Sequence, residues 1–331
     1  MAATLSFEAM HAALKASAEG TRLRVLALLA EAELTVSDLT EILSQSQPRI
    51  SRHLKLLAEA GLIERHREGA WAFFRLSDRG ENAALARLLA ERLDPEDPTL
   101  SRDRERLAAV REARAQQAQD YFRAHAAEWD RIRKLHAADS AVEQAIAAAL
   151  SERPFRSLLD LGTGTGRMLE YFGPVIERGL GIDLSPAMLS LARARLEHAG
   201  LKHCSLRQGD IYNLPLARES FDVVILHQVL HYLDDGARAV REAARMLAPN
   251  GRLLVVDFAP HEFEFLREQH AHRRLGFAPE TISQWLEAAG LDVTMQTSIA
   301  PESGSEGKIA VSLWLAHDAR ISGTGRLGVV A

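Results

Sequence analysis

"SLLDLGTGTGRMLEYF", Ser157 to Phe172, decides the fold of the larger part of the chain. An apolar run ends in an acid, Asp160, passes through Gly162, Gly164 and Gly166, and enters a segment with helical spacing. Glycine lets a backbone turn tightly and approach a ligand with no Cβ in the way, and a helix start favours an anionic group. Such a cradle could hold a dinucleotide. Here, however, the glycines stand at alternate positions rather than as G-x-G-x-x-G. The carboxylate just before them opposes a pyrophosphate and suits an ammonium, directly or through water.

The pattern continues outward from this stretch. Short β-type runs lie at "SLLDLG" (157–162), "GLGID" (179–183), "CSLRQG" (204–209), "FDVVILH" (221–227), "GRLLVVDF" (251–258), "LDVTMQT" (291–297) and "KIAVSLWLA" (308–316). Helices are expected from near Arg167, Pro186 and Gly236. The alternation implies right-handed βαβ units and a mostly parallel, doubly wound sheet. The last two runs are joined by "APESGSEG" (300–307) rather than a helix, which predicts an antiparallel hairpin at the sheet edge. Asp183 is expected at the end of the second strand, where an acid grips ribose hydroxyls. Asp210 follows the third strand, where it can accept the adenine amino group, with Ile211 available against the ring.

The first ninety or so residues read differently. In "ELTVSDLTEILSQSQPRISRHLKLLAEAGLIERHREGAWAFFRLS" (33–77), Ser37 with Asp38 and Glu41 can open a helix and "SQSQ" makes a polar turn. A second helix is expected from about Pro48 to Ala60, stopped by Gly61. Leu54, Leu57 and Ala58 would face a core, while Gln47, Arg49, Ser51, Arg52, His53 and Lys55 gather on the exposed side. Arginine pairs with guanine, glutamine with adenine, and serine or lysine holds phosphates. "LIERHRE" and "AWAFFRLS", joined through Gly69, make a β-hairpin wing that would set Arg65, His66 and Arg67 beside flanking phosphates. After "LDPEDPTLS" (93–101) a mixed-charge helix runs from Arg102 to about His136. It packs one loose stripe, including Leu107, Val110, Tyr121, Phe122 and Trp129, and exposes the rest.

The 331 residues suit two domains with ordinary cores, being 47% hydrophobic. The formal net charge of -5 carries no global basic excess, so DNA contact must come from a local patch. One cysteine, Cys204, leaves no disulfide framework and no multi-cysteine zinc or arsenic site, and points to a reducing cytoplasm. Neither a signal-type leader nor an apolar run of about 18 residues is present, so no membrane role is expected.

These residues carry two resemblances. Phe7 to Leu93 resembles the ArsR/SmtB winged-helix repressors, which implies a homodimer placing paired recognition helices on a palindromic operator. Thr35 and Ser37 stand where that family's metal-binding thiols would be, and the final helix "GENAALARLLAERL" (80–93) offers no histidine. No metal is expected, because hydroxyls are poor soft-metal ligands. About 140–317 resembles a class I S-adenosylmethionine-dependent methyltransferase. That resemblance assigns Asp160, Gly162, Gly164 and Gly166 to the methionine end of S-adenosylmethionine or S-adenosylhomocysteine, Asp183 to the ribose and Asp210 to the adenine.

The expected organisation is a winged-helix DNA-binding and dimerisation domain over 1–95, a helical linker or lid over 96–139, a methyltransferase-like domain over 140–319 and a tail over 320–331. His227 and His231 would stand near the methyl end as candidate proton-transfer groups. The plainer expectation has His227 packing on the ligand and His231 on a helix surface. His261, His270 and His272, with Glu262, Arg273 and Arg274, read as a polar helix covering the pocket, and Tyr121 and Trp129 as residues that close over the ligand. The leading expectation is a repressor whose methyltransferase-like domain senses an S-adenosyl ligand of the methionine cycle. The alternative is an active small-molecule methyltransferase with an attached DNA-binding domain.

Overall fold

A computed structural model describes residues 5–68, 71–77, 82–126, 139–300 and 309–319. The chain divides into two compact units, Met1–Gln117 and Ala118–Ala331. Trp129, the wing tip at Gly69, the side chain of Arg67 and the tail over 320–331 lie outside the described residues.

The first unit runs α1 (Phe7–Ser17), α2 (Gly20–Glu31), β1 (Leu34–Thr35), α3 (Val36–Leu43), α4 (Gln47–Glu59), β2 (Ile63–Glu68), β3 (Trp71–Leu76) and α5 (Ala83–Glu91). The first part of α6 (Pro98–His125) completes it. The α3 helix begins earlier than expected. Its cap is Thr35, not Ser37: the Thr35 hydroxyl accepts from the Asp38 amide at 3.2 Å, and the Asp38 carboxylate accepts from the Thr35 amide at 3.0 Å. This reciprocal pair satisfies two orphan donors at once, which a serine inside the first turn does not. Strands β1, β3 and β2 form an antiparallel sheet in that order, the wing of a winged helix. Leu26, Leu39, Ile42, Ile50, Leu54, Leu57, Leu107 and Val110 share one core.

The second unit alternates strand and helix. The α7 helix (Asp139–Ser151) leads to β4 (Ser157–Leu161), α8 (Arg167–Phe172), β5 (Arg178–Asp183), α9 (Pro186–His198), β6 (Cys204–Gln208), β7 (Phe221–His227) and α10 (Gly236–Met246). Then come β8 (Leu247–Phe258), α11 (Phe265–His270), α12 (Pro279–Ala288), β9 (Asp292–Ile299) and β10 (Val311–His317). The seven-stranded sheet is ordered β6-β5-β4-β7-β8-β10-β9, parallel through β8 and antiparallel thereafter. The expected hairpin is therefore present, but its second strand sits inside the sheet and its first forms the edge. Successive residues alternate between two cores, Val224, Leu226, Val255 and Trp314 on one face and Val223, Ile225, Val256 and Leu313 on the other. Helices cover both faces, so the strands read as unbroken apolar runs.

Candidate functional site

The loop after β4 is built around left-handed backbone. Gly162, Gly164 and Gly166 have φ of 72°, 52° and 80°, a region costly to side chains. A Cβ on Gly162 would also lie 2.4 Å from Cγ2 of Val229. The loop is anchored to β5, where the amides of Gly162 and Thr163 donate to the Ile182 carbonyl at 2.8 and 3.0 Å.

Two expected acids brace this loop. Asp160 is buried beneath it and accepts from the Thr163 hydroxyl at 2.6 Å. Asp183 accepts from the amides of Gly164 and Ser185, both at 2.8 Å. Burial raises its carboxyl above the ordinary value, and those amides pull in the opposite direction. Asp210 is exposed on the loop after β6, held by the Tyr212 amide at 2.9 Å. The amide of Gly209 donates to the Asp183 carbonyl at 3.1 Å, so the loops carrying Asp183 and Asp210 adjoin. Ile211 is buried in the core rather than standing free. His227 is half-buried at the end of β7, the strand next to β4. Strand ends, loop and acids thus share the carboxyl edge, where α/β sheets bind ligands.

His231 corrects the surface expectation. It is 1% exposed, in a short 3-10 turn over Leu230–Tyr232, and its Nδ1 lies 2.7 Å from Oδ1 of Asp257, itself 0% exposed at the end of β8. Asp257 also accepts from the amides of Leu230 and Phe258 at 3.0 and 2.8 Å. No amphipathic helix forms here, so the imidazole turns inward to the acid. The His272 ring lies 4.3 Å from that of His231, tilted by 33°, and the Tyr232 hydroxyl lies 3.4 Å from Nε2 of His272. Among the described residues no group of three or more His, Cys, Asp or Glu is placed to hold a metal ion. No helix among them is long and apolar enough to cross a membrane.

In the first unit Gln47, Arg49, Ser51, Arg52 and Lys55 are exposed on α4, and Arg65 is exposed on β2. Lys55 pairs with Glu59 at 3.7 Å, and His66 with Glu33 at 3.8 Å. His53 departs from the expected exposed row. It is 8% exposed, aligned at helical spacing with buried Ile50, Leu54 and Leu57, and its Nδ1 lies 3.6 Å from Oε2 of Glu19.

Residues 19–65 match the family model described as "Bacterial regulatory protein, arsR family", and residues 159–255 match that described as "Methyltransferase domain". This chain joins an arsR-family helix-turn-helix to a methyltransferase domain. It is 33% identical over 106 residues to the uncharacterized methyltransferase YcgJ of Bacillus subtilis, and 38% identical over 120 residues to the demethylmenaquinone methyltransferase of Thermus thermophilus. Those matches take in 32% and 35% of this chain and span 42% and 53% of the relatives' own lengths. A chain from the complex of the Haloferax volcanii Trm112 methyltransferase activator with its methyltransferase shares the fold, with a TM-score of 0.52 at 24% identity, covering 62% of this chain and 99% of that one.

The methyltransferase domain also contains residues that the motifs did not single out. Thr163 joins Asp160 to the loop, and Leu184, exposed beside Asp183, offers apolar surface at the same strand end. Val229 presses on Gly162. Asp257 carried the same sequence signal as Asp183, an acid ending a buried strand.

Proposed function

We propose that this protein is a transcriptional regulator, a repressor acting as a cytoplasmic homodimer on a palindromic operator and controlled by an S-adenosyl ligand bound in its methyltransferase domain. The observation that carries this reading is the bracing of the left-handed glycine loop by Asp160 and Asp183, with Asp210 on the loop that adjoins that of Asp183, in a chain that also holds an exposed basic helix in its helix-turn-helix. The acids suit an ammonium, a ribose diol and an adenine amine, and together select S-adenosylmethionine or S-adenosylhomocysteine over a pyrophosphate-bearing nucleotide. The methionine and S-adenosylmethionine cycle is the natural regulatory target of such a sensor. Gln47, Arg49, Ser51, Arg52, Lys55, Arg65 and Arg67 would engage DNA, with His53 seating the helix from inside.

Dimerisation is supported by the apolar face of α1, where Phe7 is 84% exposed and Met10 and Leu14 are also exposed at helical spacing. The test is operator binding with and without each ligand, in wild type and Asp183→Ala. A response of about 5–150-fold that disappears in the variant supports the reading. No response to either ligand, or an unchanged response in the variant, refutes it.

The second reading, an active methyltransferase, is favoured by the buried pair of His231 and Asp257. Asp257 fixes the ring through Nδ1, and Nε2 of His231 has no hydrogen-bond partner among the described residues. Methyl transfer is an in-line displacement that needs a base only when the acceptor must lose a proton, and His231 or His227 would take it. Turnover of labelled S-adenosylmethionine with candidate acceptors tests this; absence of transfer leaves the sensor reading alone.

A further inference from the structure

The first unit holds a polar cluster packed beneath its helix-turn-helix. His53 lies on the inner side of α4, 8% exposed, and neither ring nitrogen has a hydrogen-bond partner among the described residues. Oε2 of Glu19, the cap of α2, stands 3.6 Å from its Nδ1, beyond hydrogen-bond length. Burial favours the neutral form of Glu19, but the amides of Thr21 and Arg22 and the Thr21 hydroxyl outweigh it and hold the carboxyl below its ordinary value. The Thr21 hydroxyl in turn accepts from the side-chain amide of Gln45, in the turn between α3 and α4, at 3.2 Å. A charged acid, tied to α2 and through Thr21 to the turn, therefore faces an imidazole on α4 across a gap that no bond closes. Unpaired buried nitrogens cost stability, and a fold that keeps them calls for a reason.

Burial is the main force against a proton on His53, and it lowers the imidazole below its ordinary value of 6.5. Glu19 pulls the other way, while the charges of Arg22 on α2 and of Arg49 and Arg52 on α4 add to the lowering. Of the other elements packed on α4, α1 buries Ala13 and Ser17 and no titratable group. The buried acid of α3, Asp38, is taken by Thr35 and Arg114, and Glu64 of β2 by Arg75 and Ser77. Arg49 and Arg52 are exposed. Phosphates drawn to them on DNA offset their positive charge, so part of the opposition to a proton on His53 goes while the attraction of Glu19 stays.

We propose, resting on the DNA-binding role above, that His53 is a proton-linked positioning residue: as α4 engages DNA, the ring takes a proton from solvent and donates from Nδ1 to Glu19, tying α4 to the start of α2. A protonated imidazole donates from both nitrogens, and a charge-assisted bond to a carboxylate is of the stronger kind. A group that holds its proton more tightly in the complex than in the free protein makes the complex tighter as pH falls through its titration. Affinity gains about 10-fold for each pH unit by which DNA raises the His53 value.

The experiment uses the full chain and a duplex selected by that chain from a random-sequence pool. Kd is measured at fixed salt between about pH 7.5 and about pH 5.5 for wild type, His53→Gln and Glu19→Gln. Proton uptake is read in parallel by calorimetry in buffers of different ionisation enthalpy. Wild type is expected to bind at least about 5-fold more tightly at the lower pH, with net proton uptake. Both variants are expected to lose most of that gain and of the uptake, whereas a packing role alone would weaken binding equally at every pH. If the substitutions impair folding, the Cε1–H resonance of His53 in wild type decides: its titration midpoint should rise when the duplex is added, and an unchanged midpoint overturns the proposal. DNA binding that ignores pH, or a His53→Gln profile like that of wild type, also overturns it. Absence of DNA binding at every pH overturns the regulator reading as well, so the two failures are distinguishable.

Discussion

At Gly162 one hydrogen atom keeps the cradle open. Gly162→Ala places a methyl group 2.4 Å from Val229 Cγ2, at a φ of 72° that costs a side chain about 1–2 kcal/mol before any clash. Weaker ligand binding by calorimetry and a lower melting temperature are expected. The opposite holds at Gly200, where nothing lies within 4 Å of an added Cβ and only the left-handed strain remains. A second residue-scale prediction concerns acid. Burial lowers the imidazoles of His53 and His270 below their ordinary value of 6.5, and the Arg22, Arg49 and Arg52 charges add to this at His53 against the opposing pull of Glu19. A histidine that folding keeps neutral stabilises the fold above its unfolded value, and that contribution is lost as pH falls below it toward the folded value. Melting temperature should therefore drop between about pH 7.5 and about pH 5.5, and His53→Leu should flatten the drop. A drop of equal size in the variant would remove His53 from the account.

Elements whose burial is complete were the most legible. The strands β4, β7 and β8 are covered on both faces, so each reads as an apolar run suited to a core strand. The starts of α8, α9 and α10 at Arg167, Pro186 and Gly236 were equally plain. Partner choice was not, because pairing across a sheet leaves no mark on either strand: nothing in "KIAVSLWLA" says that β10 lies between β8 and β9. His53 was misread because its chemistry suggested DNA while its spacing with Ile50, Leu54 and Leu57 already placed it inside. His231 was misread because its partner, Asp257, is 26 residues distant. On α4 the basic row makes its own prediction. Arg49→Ala and Arg52→Ala should each weaken operator binding and lower the slope of log affinity against log salt by about 1. An unchanged slope would place that arginine off the DNA backbone.

For the whole molecule the proposed dimer would bury the exposed apolar face of α1, Phe7, Met10 and Leu14. Leu14→Glu, alone or with Phe7→Ser, puts charge or polarity on that face without touching the buried Ala13 and Ser17. Sedimentation should then show a monomer at concentrations where wild type is a dimer, and operator affinity should fall with it. A dimer unaffected by both substitutions would move the interface elsewhere.

The order of strands in the large sheet also bears on biosynthesis. During synthesis β4 through β8 can pair as they emerge, each joining a strand already made. The edge strand β9 cannot join, because among the described residues it pairs with β10 alone, which is made later. Until Val311–His317 leaves the ribosome, β8 presents an open edge, and the buried place of Trp314 in the core stays empty. A nascent chain paused between Ile299 and Val311 is then the form most exposed to edge pairing with other chains, and the one that a chaperone would be expected to hold.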